Sequence, residues 1–433
     1  MSSAKIVREN GQLKTPPPKS RIVLSGTVGH ALEWFDFGVY AYLSTYIAIN
    51  FFPSEDSTTS LLATLATFGV GFVARPVGGL VFGKIGDRLG RRTVLLATIM
   101  LMAVATLGIA LTPTYHQIGI WAPVILVICR LVQGFSAGGE ATTAAVFLVE
   151  WAPSNRRGLF GSFMQVGSVL GLMMGSLVVA LCTAILGQDV LADWGWRLPF
   201  AIGAATFPIA YLIRRNTDET PTYTNASEEG AKQETEQAWD VRGMVRAFLL
   251  LLFWSVGFYF FLTYMPTYLE REYGISASQA LSINIVAMIV HIGAVLAAAV
   301  LSDRIGRRPV LLIGCVAFIV VPVPLFTILA AGVPLPVLYL AITLIGILLA
   351  FYTGPAATAG AEFFKTSTRS SGYAIGYNIS AVIFGGFTPY IATWLIEVTG
   401  SDLAPIYYLS ASALIGGIFV FTIKETSGKD LNE

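Results

Sequence analysis

Four stretches of the chain, 93–112, 247–269, 278–301 and 309–331, contain no Asp, Glu, Lys or Arg. Each is as long as the ~20 residues that carry a helix across a bilayer. A soluble domain has no place for several such runs, because every side of each would need burying. Only 12% of the 433 residues are charged and 55% are hydrophobic, about half the charged share of a soluble domain. The reading is a polytopic α-helical membrane protein. Backbone groups in hydrocarbon must be satisfied within their own segment, so unbroken apolar runs joined by short polar links are helices; a barrel would alternate polar and apolar residues.

Bilayer-length runs fall at 24–51, 61–83, 93–112, 120–149, 159–187, 197–213, 247–269, 278–301, 309–331, 335–364, 371–397 and 404–423. They predict twelve transmembrane helices. The two tails and alternate links hold 23 of the 27 Lys and Arg; Arg271 and the boundary residue Arg197 are left for the other side, and Arg75 and Arg130 lie within spans. By the positive-inside rule both termini are expected in the cytoplasm. A net charge of +1 gives no reason to expect a nucleic-acid partner. Cys129, Cys182 and Cys315 sit in apolar runs and read as packing residues rather than a disulfide or metal framework. Without a metal-ligand cluster or a phosphate loop, no cofactor, metal or catalytic role is expected, and an ATP-driven pump is excluded for this chain. The energy source is then an ion or substrate gradient.

The string Asp87-Arg88-Leu89-Gly90-Arg91-Arg92 after the second run returns as Asp303-Arg304-Ile305-Gly306-Arg307-Arg308 after the eighth, 216 residues on. A repeat at half the chain length predicts two six-helix units in tandem with the same topology. The expected division is a cytoplasmic N-terminal tail, 1–22; a first bundle, 23–213; a cytoplasmic linker, 214–246; a second bundle, 247–423; and a cytoplasmic C-terminal tail, 424–433. Asp87 and Asp303 are expected to accept hydrogen bonds from neighbouring helix ends and latch the cytoplasmic gate, with Gly83, Arg88, Gly90 and Arg91 in one copy and Arg304 and Arg307 in the other. Arg75, close to the first copy and followed by Pro76, is grouped with this gate.

Ionisable groups within spans are costly, so each is a functional candidate. Glu33 and Asp36 lie three apart on the first span, with His30 and Tyr40 a turn to either side, and are read as sharing one face. Glu33, Asp36 and Glu140 are the candidates for proton coupling. Arg130, which cannot shed its charge, is followed at helical spacing by Gln133 and Glu140. It is expected to face the interior, paired with Glu140 or Asp36 or with a substrate carboxylate, and a permanent Arg130–Glu140 pair is the alternative. The second half is almost free of charge and rich in rings. Trp254, Tyr377 and Asn378, with Arg130, Tyr40 and Gln133, complete the candidate substrate site, since ring faces attract quaternary ammonium groups.

The segment from Gly83 to Arg92 and its repeat resemble the signature loop of the major facilitator superfamily. Glu33-Trp34-Phe35-Asp36-Phe37, Arg75-Pro76-Val77-Gly78-Gly79, the run from Gln133 to Glu140, Trp194-Gly195-Trp196-Arg197 and Asp218-Glu219-Thr220-Pro221 are similar to its metabolite:proton symporter branch. Thr263 to Leu269 and Tyr377 to Pro389 resemble the proline/betaine members; Phe384-Gly385-Gly386 is also at home in the carboxylate carriers. The resemblance implies an inner-membrane symporter that acts as a monomer and imports a small carboxylate-bearing metabolite with protons by alternating access, a zwitterion such as proline or glycine betaine. The alternatives are a symporter for 2-oxoglutarate or citrate, whose extra carboxylate wants a further buried cation, and a transporter-like membrane sensor.

Overall fold

The computed structural model describes residues 7–9, 12–14, 19–89, 91–138, 148–149, 152–215, 240–364 and 366–428. Ahead of the helices, Val7–Glu9 pairs antiparallel with Gln12–Lys14. Among the described residues, twelve helical rods follow. Span one is Lys19–Tyr42 continued by Ser44–Phe51. Span two is Ser57–Val73 and Arg75–Leu89, three is Arg91–Leu111, four is Trp121–Ala137, five is Arg157–Leu186 and six is Arg197–Arg215. Span seven runs from Val241–Phe258 through a π-helical turn, Tyr259–Tyr264, into Met265–Tyr273. Span eight is Ala277–Ile305, nine is Arg307–Val320 with Pro322–Ala330, and ten is Leu335–Ala361. Span eleven has a second π turn, Ala381–Gly386, between Thr366–Ser380 and Thr388–Thr399, and twelve is Ala404–Thr422.

Helix pairings repeat between the halves. Span one packs on five, two on four, and three on four and six; likewise seven packs on eleven, eight on ten, and nine on ten and twelve. The halves meet where span five lies against eight and ten, and where two lies against eleven. Gly167, Gly171 and Gly175 of span five make its contact with span one close: a Cβ on Gly171 would stand 2.1 Å from the carbonyl oxygen of Ala31. Small residues of this kind let helix backbones touch where lipid offers no hydrophobic drive to association. Eight of the described helices are long and apolar enough to cross a membrane. Around the outside, large apolar side chains such as Val104, Met174, Ile185, Leu340 and Phe421 stay exposed, as surfaces that face hydrocarbon do.

Some span limits differ from the sequence reading. Span two starts earlier than residue 61 because Asp56 caps it, accepting from the N–H groups of Thr58 and Thr59 at 3.1 and 2.9 Å. It also continues as helix through Leu89, into the stretch read as a link. The interruptions at Ala74 and Val321 stand one or two residues before Pro76 and Pro322, where a proline disfavours helix in the preceding residue and brings no N–H of its own. The linker residues 216–239, the far end of the fourth run including Glu140, and Gly90 lie outside the described residues.

Candidate functional site

Span one brings His30, Glu33, Trp34 and Phe37 to the middle of the molecule, and all four are buried. Arg75, 0% exposed, donates from Nη2 to Glu33 Oε1 at 2.8 Å. The indole N–H of Trp34 donates to His30 Nε2 at 2.9 Å, so a neutral imidazole carries its proton on Nδ1. That Nδ1 stands 3.8 Å from the second Glu33 oxygen. The Arg75 guanidinium lies 4.4 Å from the Phe72 ring centroid, 4.8 Å from Phe37 and 5.8 Å from Trp34. An Arg in hydrocarbon needs such a lining, since ring faces are attracted to a cation without supplying a counter-charge.

A second constellation is built on Arg130, also 0% exposed. Its Nη1 donates to Gln133 Oε1 at 2.9 Å, and Gln133 Nε2 donates in turn to Asp36 Oδ2. Thr106 donates its hydroxyl to Asp36 Oδ1 at 2.8 Å. Tyr40, Phe37 and Phe68 line this guanidinium at 4.3, 4.8 and 5.2 Å. Glu33 and Asp36, read from sequence as one face, therefore go to different partners: Glu33 bonds a cation directly, whereas Asp36 is held by neutral donors and meets Arg130 through an amide. Bare backbone contact between spans two and four sets the two arginines in place. A Cβ on Gly134 would stand 1.5 Å from the Gly71 carbonyl oxygen, and one on Gly138 would stand 1.9 Å from that of Arg75.

The second half covers this cluster with rings. Phe258 packs on Trp34 at 4.8 Å, and Tyr259 on Phe72 at 5.3 Å. Trp254 stacks on Phe258 at 4.9 Å, stands 5.6 Å from Tyr377, and donates its N–H to Gln165 Oε1 at 3.2 Å. Tyr377 faces Arg75, and Asn378 is buried on the same span beside Gly79. Several buried polar atoms along this seam have no hydrogen-bond partner among the described residues: Glu33 Oε2, Arg75 Nε and Nη1, Gln165 Nε2, and the hydroxyls of Tyr259 and Tyr377. Such groups are costly to leave unpaired, and here they collect where the halves meet.

Arg75, grouped from sequence with the gate, thus stands in the central cluster. Tyr259, Gln165 and Thr106 were not singled out as site residues. The aromatic run 258–261 and the lone amide in a glycine-rich span are the signals that point to the first two; nothing in the sequence marks Thr106. A small cavity of about 20 Å³, lined by Leu32, Glu33, Thr98, Ile99, Met102, Ser136, Ala137 and Phe207, opens beside Glu33 within the first half.

On the face that carries the termini, Asp303 accepts from the N–H groups of Gly158 and Leu159, at 2.8 and 3.0 Å, at the start of span five in the other half. Arg307 donates to Asp303 at 2.7 Å and to Glu362 at 3.3 Å. Glu425, beyond span twelve, accepts from the backbone N–H of Arg307 at 2.8 Å and of Arg308 at 3.0 Å. Arg304 is exposed. Of the first signature loop, Gly83, Asp87, Arg88 and Arg91 are described only as helical backbone. The opposite face is closed as well: Tyr42 donates to the Leu262 carbonyl at 2.6 Å, the hydroxyls of Ser44 and Thr267 stand 3.4 Å apart, and Arg271 donates to Thr58 at 3.1 Å.

The Major Facilitator Superfamily model matches residues 28–384 and 269–432. A proline/betaine transporter of Escherichia coli K12 is 37% identical over 424 residues, which are 95% of this chain and 84% of that protein. A glycine betaine/proline/ectoine/pipecolic acid transporter of Dickeya dadantii is 34% identical over 426 residues, with the same shares covered. Among solved structures, the proton:xylose symporter XylE bound to 6-bromo-6-deoxy-D-glucose superposes with a TM-score of 0.78 at 18% identity, over 96% of this chain and 98% of that one. The partially occluded inward-open form of XylE from E. coli gives 0.75 at 17%, over 94% and 99%. A twelve-span, two-bundle fold and relatives matched over 84% of their length make this chain a multi-pass membrane transporter of the major facilitator superfamily, in the branch that holds the proline/betaine transporters.

Proposed function

We propose that this transporter is a proton-coupled symporter that imports a small zwitterion of the proline or glycine betaine kind across the inner membrane by alternating access, with the termini in the cytoplasm. One observation carries the choice of substrate class. The bond between Arg75 Nη2 and Glu33 Oε1 leaves Nε and Nη1 of Arg75 and Oε2 of Glu33 without a hydrogen bond of their own, the last 3.8 Å from His30 Nδ1, under aromatic rings. A donor next to an acceptor is the complement of a molecule with a carboxylate at one end and an ammonium at the other. The carboxylate takes Arg75, and the ammonium takes Glu33 and the faces of Trp34, Trp254 and Tyr377. Neutral overall, such a ligand adds no net charge to a site that already contains a balanced ion pair. A di- or tricarboxylate would need a second cation there, whereas Arg130 is engaged by Gln133 and, through it, by Asp36.

Asp36 is the better proton carrier of the two span-one carboxylates. Losing the charge of Glu33 leaves Arg75 buried with no counter-ion, a cost of about 3–5 kcal/mol when one member of a buried pair is removed. Asp36 is held by Thr106 and meets Arg130 only through Gln133, so losing its charge breaks no direct ion pair. The proposal is tested in proteoliposomes under an imposed pH gradient, with proline, glycine betaine, citrate, 2-oxoglutarate and shikimate as competing substrates. Proline or glycine betaine should be concentrated, and a protonophore should abolish the concentration. Gradient-driven accumulation of citrate or 2-oxoglutarate alone would replace the substrate class, and binding without accumulation would indicate a sensor.

A further inference from the structure

Phe37 belongs to the Glu33–Phe37 string of span one and has no part in the proposed binding or proton steps. It is fully buried, and its ring centroid stands 4.8 Å from the guanidinium carbon of Arg75 and 4.8 Å from that of Arg130. No other ring among the described residues lies over both arginines; Trp34 and Phe72 serve Arg75, and Tyr40 and Phe68 serve Arg130. The ring therefore touches both ion sites, whose carboxylates are only three residues from each other.

The same ring is tied to the motion of the halves. Phe37 packs on Phe72 at 4.9 Å, and Phe72 on Tyr259 of the second half at 5.3 Å. Span eleven closes this stack from behind without slack: a Cβ on Gly386 would stand 2.6 Å from Phe72, and one on Gly385 would stand 2.6 Å from Tyr259. Displacing span eleven against span two must move Phe72, and with it the ring that both guanidiniums share. Close-packed side chains transmit such shifts because they are not continuously deformable.

We propose that Phe37 is a positioning residue that makes substrate occupancy at Arg75 and the charge on Asp36 depend on each other, so that its loss uncouples transport without abolishing it. The inference rests on the symport reading above. In full-length protein reconstituted in liposomes, Phe37→Leu should still carry out proline or glycine betaine counterflow, measured with no pH gradient. Couplings between sites typically amount to about 5–150-fold, so accumulation driven by a pH gradient should fall about tenfold or more, with fewer protons carried per substrate. Phe37→Tyr, which keeps the ring, should preserve both, and Phe37→Met repeats the test without a ring should the Leu variant not reach the membrane folded. A ringless variant that concentrates substrate with the wild-type proton ratio overturns the inference, as does a Phe37→Tyr protein that exchanges but is uncoupled. Failure of the wild type to concentrate either substrate would instead overturn the symport reading.

Discussion

Glu33 and Asp36 differ by one methylene and three positions, yet the structure gives them different chemistry, and the difference can be measured. Asp36→Asn keeps one acceptor oxygen, for Thr106 or for Gln133, but cannot change charge; counterflow should persist while uptake driven by a pH gradient is lost. Should the Asn protein still concentrate substrate, the proton is carried elsewhere. At Arg75 the expected loss is one of affinity. A Lys has a single ammonium in place of the planar donor fork, so Arg75→Lys should weaken substrate binding by about 1.5–3 kcal/mol, the range for hydrogen bonds to charged groups. Unchanged affinity in purified, monodisperse Arg75→Lys protein would remove this residue from the binding site. The sequence made Glu33, Asp36, Arg75 and Arg130 visible because a charge in an apolar run is costly wherever it sits. It could not say that Arg75 belongs to the centre, since closeness to the signature string along the chain says nothing of which way the helix turns. Thr106 stayed hidden, and Tyr259 and Gln165 were passed over despite their sequence context, because neutral polar groups in a span carry a smaller penalty than charges.

At the scale of elements, the end of span twelve is tied to the start of span nine by one carboxylate. Burial alone would raise the Glu425 carboxyl, but the backbone N–H groups of Ser427, Arg307, Arg308 and Thr426 outweigh it and hold the group below its ordinary range. A depressed folded value means that the contribution of Glu425 is fully present above the unfolded carboxylate range and is lost as pH falls through the folded value. Hydrogen-exchange protection of the Arg307 and Arg308 amides, corrected for intrinsic rates, should therefore be flat from about pH 5 to 8 and decline in stronger acid, since a free Glu titrates near 4.3. Glu425→Gln should remove that acid step, and an identical pH profile in the variant would exclude Glu425 as its origin. The breaks in spans two and nine stand beside Pro76 and Pro322, although the sequence reading carried both runs through unbroken. The π turns in spans seven and eleven were not legible either, because an extra residue in a turn leaves the hydrophobic pattern on either side intact and shows only as a change of phase.

For the whole molecule, the repeat of the signature string at half the chain length was enough to predict two tandem bundles, and the matching helix pairings in each half are its physical expression. How the halves meet could not be read the same way, since contacts between distant spans leave no local pattern. The structure is joined across both faces, by Asp303 with span five on one and by Tyr42 and Ser44 with span seven on the other. If transport requires these faces to open in turn, fastening one must stop it. In a background lacking Cys129, Cys182 and Cys315, the pair Ser44→Cys and Thr267→Cys should form a disulfide under mild oxidation, abolish uptake, and recover it on reduction. Full uptake by quantitatively cross-linked protein would show that this face need not part.

The π turn at Tyr259–Tyr264 follows Trp254, which faces the seam, and ends at Tyr264, whose hydroxyl stands 2.7 Å from that of Thr393. A π turn takes up one residue more than an α turn, so the two ends of the span face their partners as they would in a regular helix one residue shorter. Closing it to α-helix with every residue kept would turn one side by about 100° relative to the other, the angle of a single residue at 3.6 per turn. Trp254 and Phe258 would then leave the seam together while the far end of the span kept its neighbours. The wide turn is thus a spacer that lets both ends of the span hold their places at once.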